Sequence, residues 1–168
     1  MKYSVLLLLL ITNSIFAQNT TTDAFLEKWN HSKTYLLDVA NAMPDTLYGY
    51  KPTEREMTFG EQLLHIKDNI DWLGNTYFTD KKYTKAKLDK NLSKEETMAL
   101  LEKSFDAVYA MIKNSDPKLL DSKVEFFAGP KTKIQILNLL QDHVTHHRGQ
   151  LLVYLNLNEI KPPSYVGW

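Results

Sequence analysis

Apolar residues recur at helical spacing through four stretches of the chain, and proline, glycine and charged clusters separate them. The first stretch runs from Thr22 to Met43, with Phe25, Trp29, Leu36, Leu37, Val39 and Ala40 on one stripe and Asp23 as an early capping carboxylate. Met43-Pro44 ends it, because the residue before proline avoids the α region. The second begins at Thr58, where Thr58-Phe59-Gly60-Glu61 has the form of a capping box, and its face carries Phe59, Leu63, Ile66, Ile70, Leu73 and Tyr77. Ser93 through Glu96 opens the third in the same way. Met98, Leu101, Phe105, Val108, Tyr109 and Ile112 form its core face, and Ser115-Asp116-Pro117 stops it. The fourth spans Thr132 to Asn158, and Pro162-Pro163 forbids its continuation.

Four amphipathic helices of this length predict an all-α fold, a four-helix bundle. The connection Pro44–Met57 is long enough to cross the bundle rather than turn tightly, and the lysine-rich Thr79–Asn91 reads as a solvated connection. Lys123-Val124-Glu125-Phe126-Phe127 is either a short strand or an ordered loop, closed by a turn at Gly129-Pro130.

The N-terminus changes the domain picture. Lys2 precedes the apolar run Val5–Ile11, and Ile15-Phe16-Ala17-Gln18 offers a cleavage site after Ala17. The run falls well short of the roughly 20 residues needed to span a bilayer. Residues 1–17 are therefore expected to be a cleavable signal peptide and 18–168 the bundle domain, periplasmic or secreted, with no membrane span after cleavage. The chain contains no Cys, so a lipid-modified N-terminal cysteine is impossible and an oxidising compartment is tolerated without disulfides. The 20 basic and 20 acidic side chains balance, so no overall basic excess points to nucleic acid, and none is expected as a partner.

Chemistry concentrates in Asp142-His143-Val144-Thr145-His146-His147-Arg148-Gly149-Gln150. On a helix His143 and His147 stand one turn apart, about 5–6 Å at Cβ, within reach of one cation bound at about 2.0–2.1 Å if it is zinc. Ile136, Leu140, Gln150 and Tyr154 extend the same face, which directs both histidines into the bundle. In the second stretch His65 lies at the edge of the apolar stripe, near the faces of Gln62, Asn69 and Trp72. If the second and fourth helices are neighbours, it supplies a third imidazole, and a cation resolves the polar demands of three buried rings. His146 points about 100° away from His147 and reads as a surface or interface residue. Arg148 is either a substrate contact or half of a salt bridge, Gln150 either a contact or a core hydrogen bond, and His31 has no visible partner.

These residues carry a resemblance. Gly60-Glu61-Gln62-Leu63-Leu64-His65, the run His143 through Gln150 (close to the signature HxxHHRGQ) and the ending Ile160–Tyr165 resemble the DinB superfamily of bacterial four-helix-bundle candidate metalloenzymes, also called DinB/YfiT-like. The likeness covers nearly everything after the leader. It implies one divalent metal held by His65, His143 and His147 and, in many members, a homodimer; the imidazole donors make zinc or nickel the expected ion, with iron or manganese as alternatives. Some relatives are transferases or isomerases that use a low-molecular-weight thiol, a cofactor an exported protein would not normally meet.

Two functional readings follow. Three imidazoles leave a coordination position open, as in catalytic sites, which suits a metal-dependent hydrolase or transferase acting on a small molecule. Asp142, Glu61 and Asp68 are the candidate general bases. The alternative is a non-enzymatic metal- or ligand-binding bundle.

Overall fold

A computed structural model describes residues 21–80, 82–85 and 92–168. Its elements are α1 (Lys2–Ala42), α2 (Phe59–Phe78), α3 (Lys94–Lys113), strands β1 (Lys123–Val124) and β2 (Lys131–Thr132), and α4 (Lys133–Leu157). Side chains of α1 are described from Thr21 onward, so the expected leader and its cleavage site after Ala17 lie outside the described residues. Among the described residues no helix is long and apolar enough to cross a membrane.

The helix starts are chemical. Thr58, Ser93 and Thr132 each accept the backbone N–H three residues on, while the side chains of Glu61, Glu96 and Gln135 accept the cap residue's own N–H. Each box satisfies two donors that a helix N-terminus otherwise leaves unpaired. The box at Thr132 had no counterpart in the sequence reading beyond the helix boundary itself. Past the end of α4, Glu159 adopts φ 59° so that the Ile160 N–H reaches the Leu155 carbonyl at 3.0 Å. That is the bond pattern of a Schellman cap, with an acidic residue where glycine is usual.

α1 and α2 each pack against both α3 and α4, so α1 and α2 sit on one diagonal of the bundle. Cross-helix bonds give the directions. Ser32 and Tyr35 of α1 meet Gln141 and Arg148 of α4 in parallel order. Gln62 and His65 of α2 meet Gln150 and His143 of α4 in antiparallel order. Lys94 of α3 donates to the Asn41 and Met43 carbonyls at the end of α1, and Phe105, farther along α3, meets Trp29 earlier in α1, so α3 runs antiparallel to α1. The topology is up-down-down-up. The Pro44–Met57 connection crosses at one end, as its length predicts, and carries a 3-10 turn at Asp45–Leu47. After Phe78, Lys85 pairs with Asp68 of α2 at 3.1 Å.

The core is built of Trp29, Leu36, Phe59, Leu63, Ile66, Phe105 and their neighbours, all fully buried. Trp29 donates to the Phe105 carbonyl at 2.9 Å, which keeps its indole N–H satisfied inside. The segment Lys123–Phe127 contains a strand of only two residues, Lys123 and Val124, pairing with Thr132 and Lys131. Its partner strand was absent from the sequence reading, because two residues of a hairpin carry no periodicity. Gly129 at φ 87° makes the turn between them. The C-terminal tail folds back on α1: Tyr165 meets Tyr35 edge-on at 6.0 Å, and Lys28 donates to the Gly167 carbonyl and sits over the Trp168 ring.

Candidate metal centre

The antiparallel contact of α2 with α4 decides the site. It sets His65 opposite the paired His143 and His147, and the ring nitrogens these three residues offer all lie within 4.8 Å of one another. His65 Nε2 and His143 Nε2 are 3.2 Å apart. Two nitrogens bound tetrahedrally at about 2.0–2.1 Å would be about 3.3 Å apart, so this separation suits a shared zinc-sized ion.

The donor chemistry fits as well. Burial, then the neighbouring charges of His147 and His65, hold His143 down to about 3; burial and the imidazoles of His65 and His146 hold His147 to about 4. Burial, followed by nearby Lys85, also lowers His65. All three rings are therefore neutral at pH 7, and neutral imidazole is the ligating form. His143 Nδ1 is buried with no hydrogen-bond partner among the described residues, so these leave the cluster incompletely satisfied.

Gln62 is the residue that sequence reasoning placed nearby without a role. It is fully buried, one turn before His65, and its Oε1 lies 2.6 Å from His147 Nδ1. Its Nε2 donates to Gln150 Oε1 at 2.6 Å and lies 3.4 Å from the Tyr154 hydroxyl, which itself donates to the Met57 carbonyl at 2.9 Å. With Nε2 committed as a donor, the Gln62 oxygen accepts, so His147 carries its proton on Nδ1 and turns the Nε2 lone pair to the cluster. A carbonyl oxygen orienting a ligating imidazole in this way sets both tautomer and ring direction. The signal was present in sequence as a polar residue on the inner face of α2, but its partner lies 85 residues away.

The remaining candidates separate. His146 is exposed and lies 3.0 Å from Gln150 Nε2, outside the three-histidine group. Gln150 makes the core hydrogen bond that was one of its two readings. Arg148 does not form the salt bridge that was one of its readings. It is 5% exposed and lies over the Tyr35 ring at 4.6 Å, and it has no carboxylate partner among the described residues. The 100° step from His147 carries it to the α1 side of the helix. Of the candidate bases, Glu61 is engaged by the Thr58 N–H, Asp68 by Lys67 and Lys85, and Asp142 is exposed. None belongs to the histidine group.

The sequence profile of the DinB family matches residues 17–165, nearly the whole chain. The protein belongs to the DinB family. Its fold is also that of solved DinB-like proteins. One from Bacillus subtilis is 18% identical with a TM-score of 0.69, covering 86% of this chain and 99% of that one. Another, from Bacillus cereus ATCC 10987, is 19% identical with a TM-score of 0.72, covering 86% and 97%. A conserved protein from Enterococcus faecalis, 14% identical, matches with a TM-score of 0.57 over 79% and 93%. At these identities the likeness is one of fold. No curated protein matches this DinB chain.

Proposed function

We propose that this DinB protein binds one divalent metal ion through His65, His143 and His147 and uses it as a metal-dependent hydrolase or transferase on a small molecule. The observation that carries this reading is the group of three neutral imidazoles converging within 4.8 Å. Zinc and nickel suit the all-nitrogen donor set, with iron or manganese as alternatives. A divalent ion in such a set supplies a Lewis acid that polarises a carbonyl or phosphoryl group and raises the acidity of a nucleophile. The chain's own residues prepare that chemistry. Gln62 holds His147 in its ligating tautomer, the three rings stay unprotonated at neutral pH, and among the described residues no carboxylate joins the group to lower the ion's charge.

The test begins with untagged protein and elemental mass spectrometry. Near-stoichiometric metal, lost in His65→Ala and in His147→Ala with helicity retained, is expected. Turnover against a panel of esters, amides and thiol-transfer substrates should track bound metal; equal rates without metal would sink the enzyme reading.

A second reading has one observation in its favour: none of the three candidate bases is in the histidine group. In that reading the bundle binds a metal or a ligand without turnover. Export is part of the proposal too, supported by the leader-like first 17 residues and by a family match that begins at residue 17. N-terminal sequencing of periplasmic protein should return Gln18; an intact Met1 would reject it. Homodimerisation, which the family resemblance implies, would show as twice the monomer mass in solution.

A further inference from the structure

His65 begins a continuous strip on α2 that the metal chemistry does not use. At 100° per residue, Asn69, Trp72 and Thr76 all return to within about 40° of His65. Trp72 stands about 10 Å along the axis, and its side chain leans back toward the N-terminal turn, over the ground between itself and His65.

Three features of this strip lack a structural explanation. Asn69 Oδ1, one turn from His65, is buried without a hydrogen-bond partner among the described residues. Trp72 stacks on Phe126 and Phe127 of the β1–β2 hairpin, with centroids at 6.2 and 6.3 Å and ring planes within 24° and 23°. Phe126 packs against the core, but Phe127 is 83% exposed, so holding the hairpin down does not require it. Beyond Trp72 the strip opens into a cavity of about 410 Å³ lined by Thr76, Asp80, Lys82 and Tyr83. A partly exposed aromatic shelf, an unmet hydrogen bond and a cluster of ligating rings therefore follow one another along one helix face.

We propose that this strip binds the non-reacting part of the substrate, and that the substrate is an aromatic molecule joined through a hydrogen-bonding linker, such as an amide, to a metal-coordinating head. The ring lies on the Trp72–Phe127 shelf and the linker meets the Asn69 carboxamide. The head reaches the histidines. The proposal deepens the metal-site reading and rests on it.

Two hydroxamates that share one metal-binding head separate the two ideas: acetohydroxamate and 3-phenylpropionohydroxamate. Calorimetric titration into zinc-loaded protein, with zinc retention checked by elemental analysis, should show the phenyl compound binding about tenfold or more tightly, since aryl packing of this kind is worth about 1.4 kcal/mol. Phe127→Ala, at an exposed position, and Trp72→Leu should each bring the ratio toward one and leave acetohydroxamate affinity unchanged. Equal affinities in the wild type would overturn the proposal, as would a preference that survives both substitutions. So would a zinc-loaded protein that binds neither compound. A protein that retains no zinc would instead remove the metal reading, and this proposal with it.

Discussion

Gln62→Leu isolates the contribution of imidazole orientation. The substitution replaces a fully buried side chain with an apolar one of similar size, so the cavity left behind is small. What it removes is the 2.6 Å contact from His147 Nδ1 to the Gln62 oxygen, together with the bond to Gln150. Two costs follow. In the metal-free protein the His147 N–H is left buried and unpaired, which destabilises the fold by about 1–3 kcal/mol. In the metal-bound protein the ring loses its tautomer lock, and removing such a partner lowers metal affinity about 10- to 100-fold, or about 1.4–2.7 kcal/mol. Zinc affinity is read by competition with a chromophoric chelator at pH 7.5, and stability by urea unfolding with and without metal. Gln62→Glu serves as the comparison, because its carboxylate still accepts from Nδ1, although it adds a negative charge beside His147 and loses the N–H toward Gln150. Leu should therefore bind zinc at least tenfold more weakly than Glu. Equal affinities in the two variants, with both folded, would refute the claim that Gln62 works by orienting His147.

Three further predictions bear on the fold and its titration. The imidazoles of His143 and His147 are held at about 3 and about 4 against 6.5 when unfolded, so between those values the unfolded chain binds more protons and the metal-free fold loses stability as pH falls from about 6.5. Urea midpoints of metal-free protein should be level above pH 7 and drop through pH 6 and 5; a rise on acidification would contradict the burial argument. Gly74→Ala should destabilise by about 1–3 kcal/mol despite the better helix propensity, because the added Cβ would sit 2.8 Å from Val108 Cγ2 at the α2–α3 contact; a thermal melt at or above wild type would show that α3 yields. Glu159→Gly should stabilise by about 0.5–1 kcal/mol, since glycine adopts the φ 59° of this helix cap without steric cost; an unchanged or lower melting temperature would count against the strain.

Helix existence, helix starts and the histidine pair were all legible in the chain because they are local. A capping box is complete within four residues, so Thr58–Glu61 and Ser93–Glu96 announce their helices wherever these later pack. His143 and His147 share a face by the helical repeat alone, and His65 declared itself only as a polar residue at the edge of an apolar stripe. That α2 neighbours α4, antiparallel and in the register that puts His65 Nε2 3.2 Å from His143 Nε2, is a property of packing. It depends on how four apolar faces share one core, and no segment contains that information by itself. The same packing turned Gln62 into the orienting partner of His147, sent Arg148 to Tyr35 instead of to a carboxylate, and assembled the Trp72–Phe126–Phe127 shelf from a helix and the loop of a hairpin with two-residue strands. Local chemistry determined which residues are able to hold a metal; tertiary contacts, made across 78 residues for His65 with His143 and 85 for Gln62 with His147, decided which of them meet and which partners orient them.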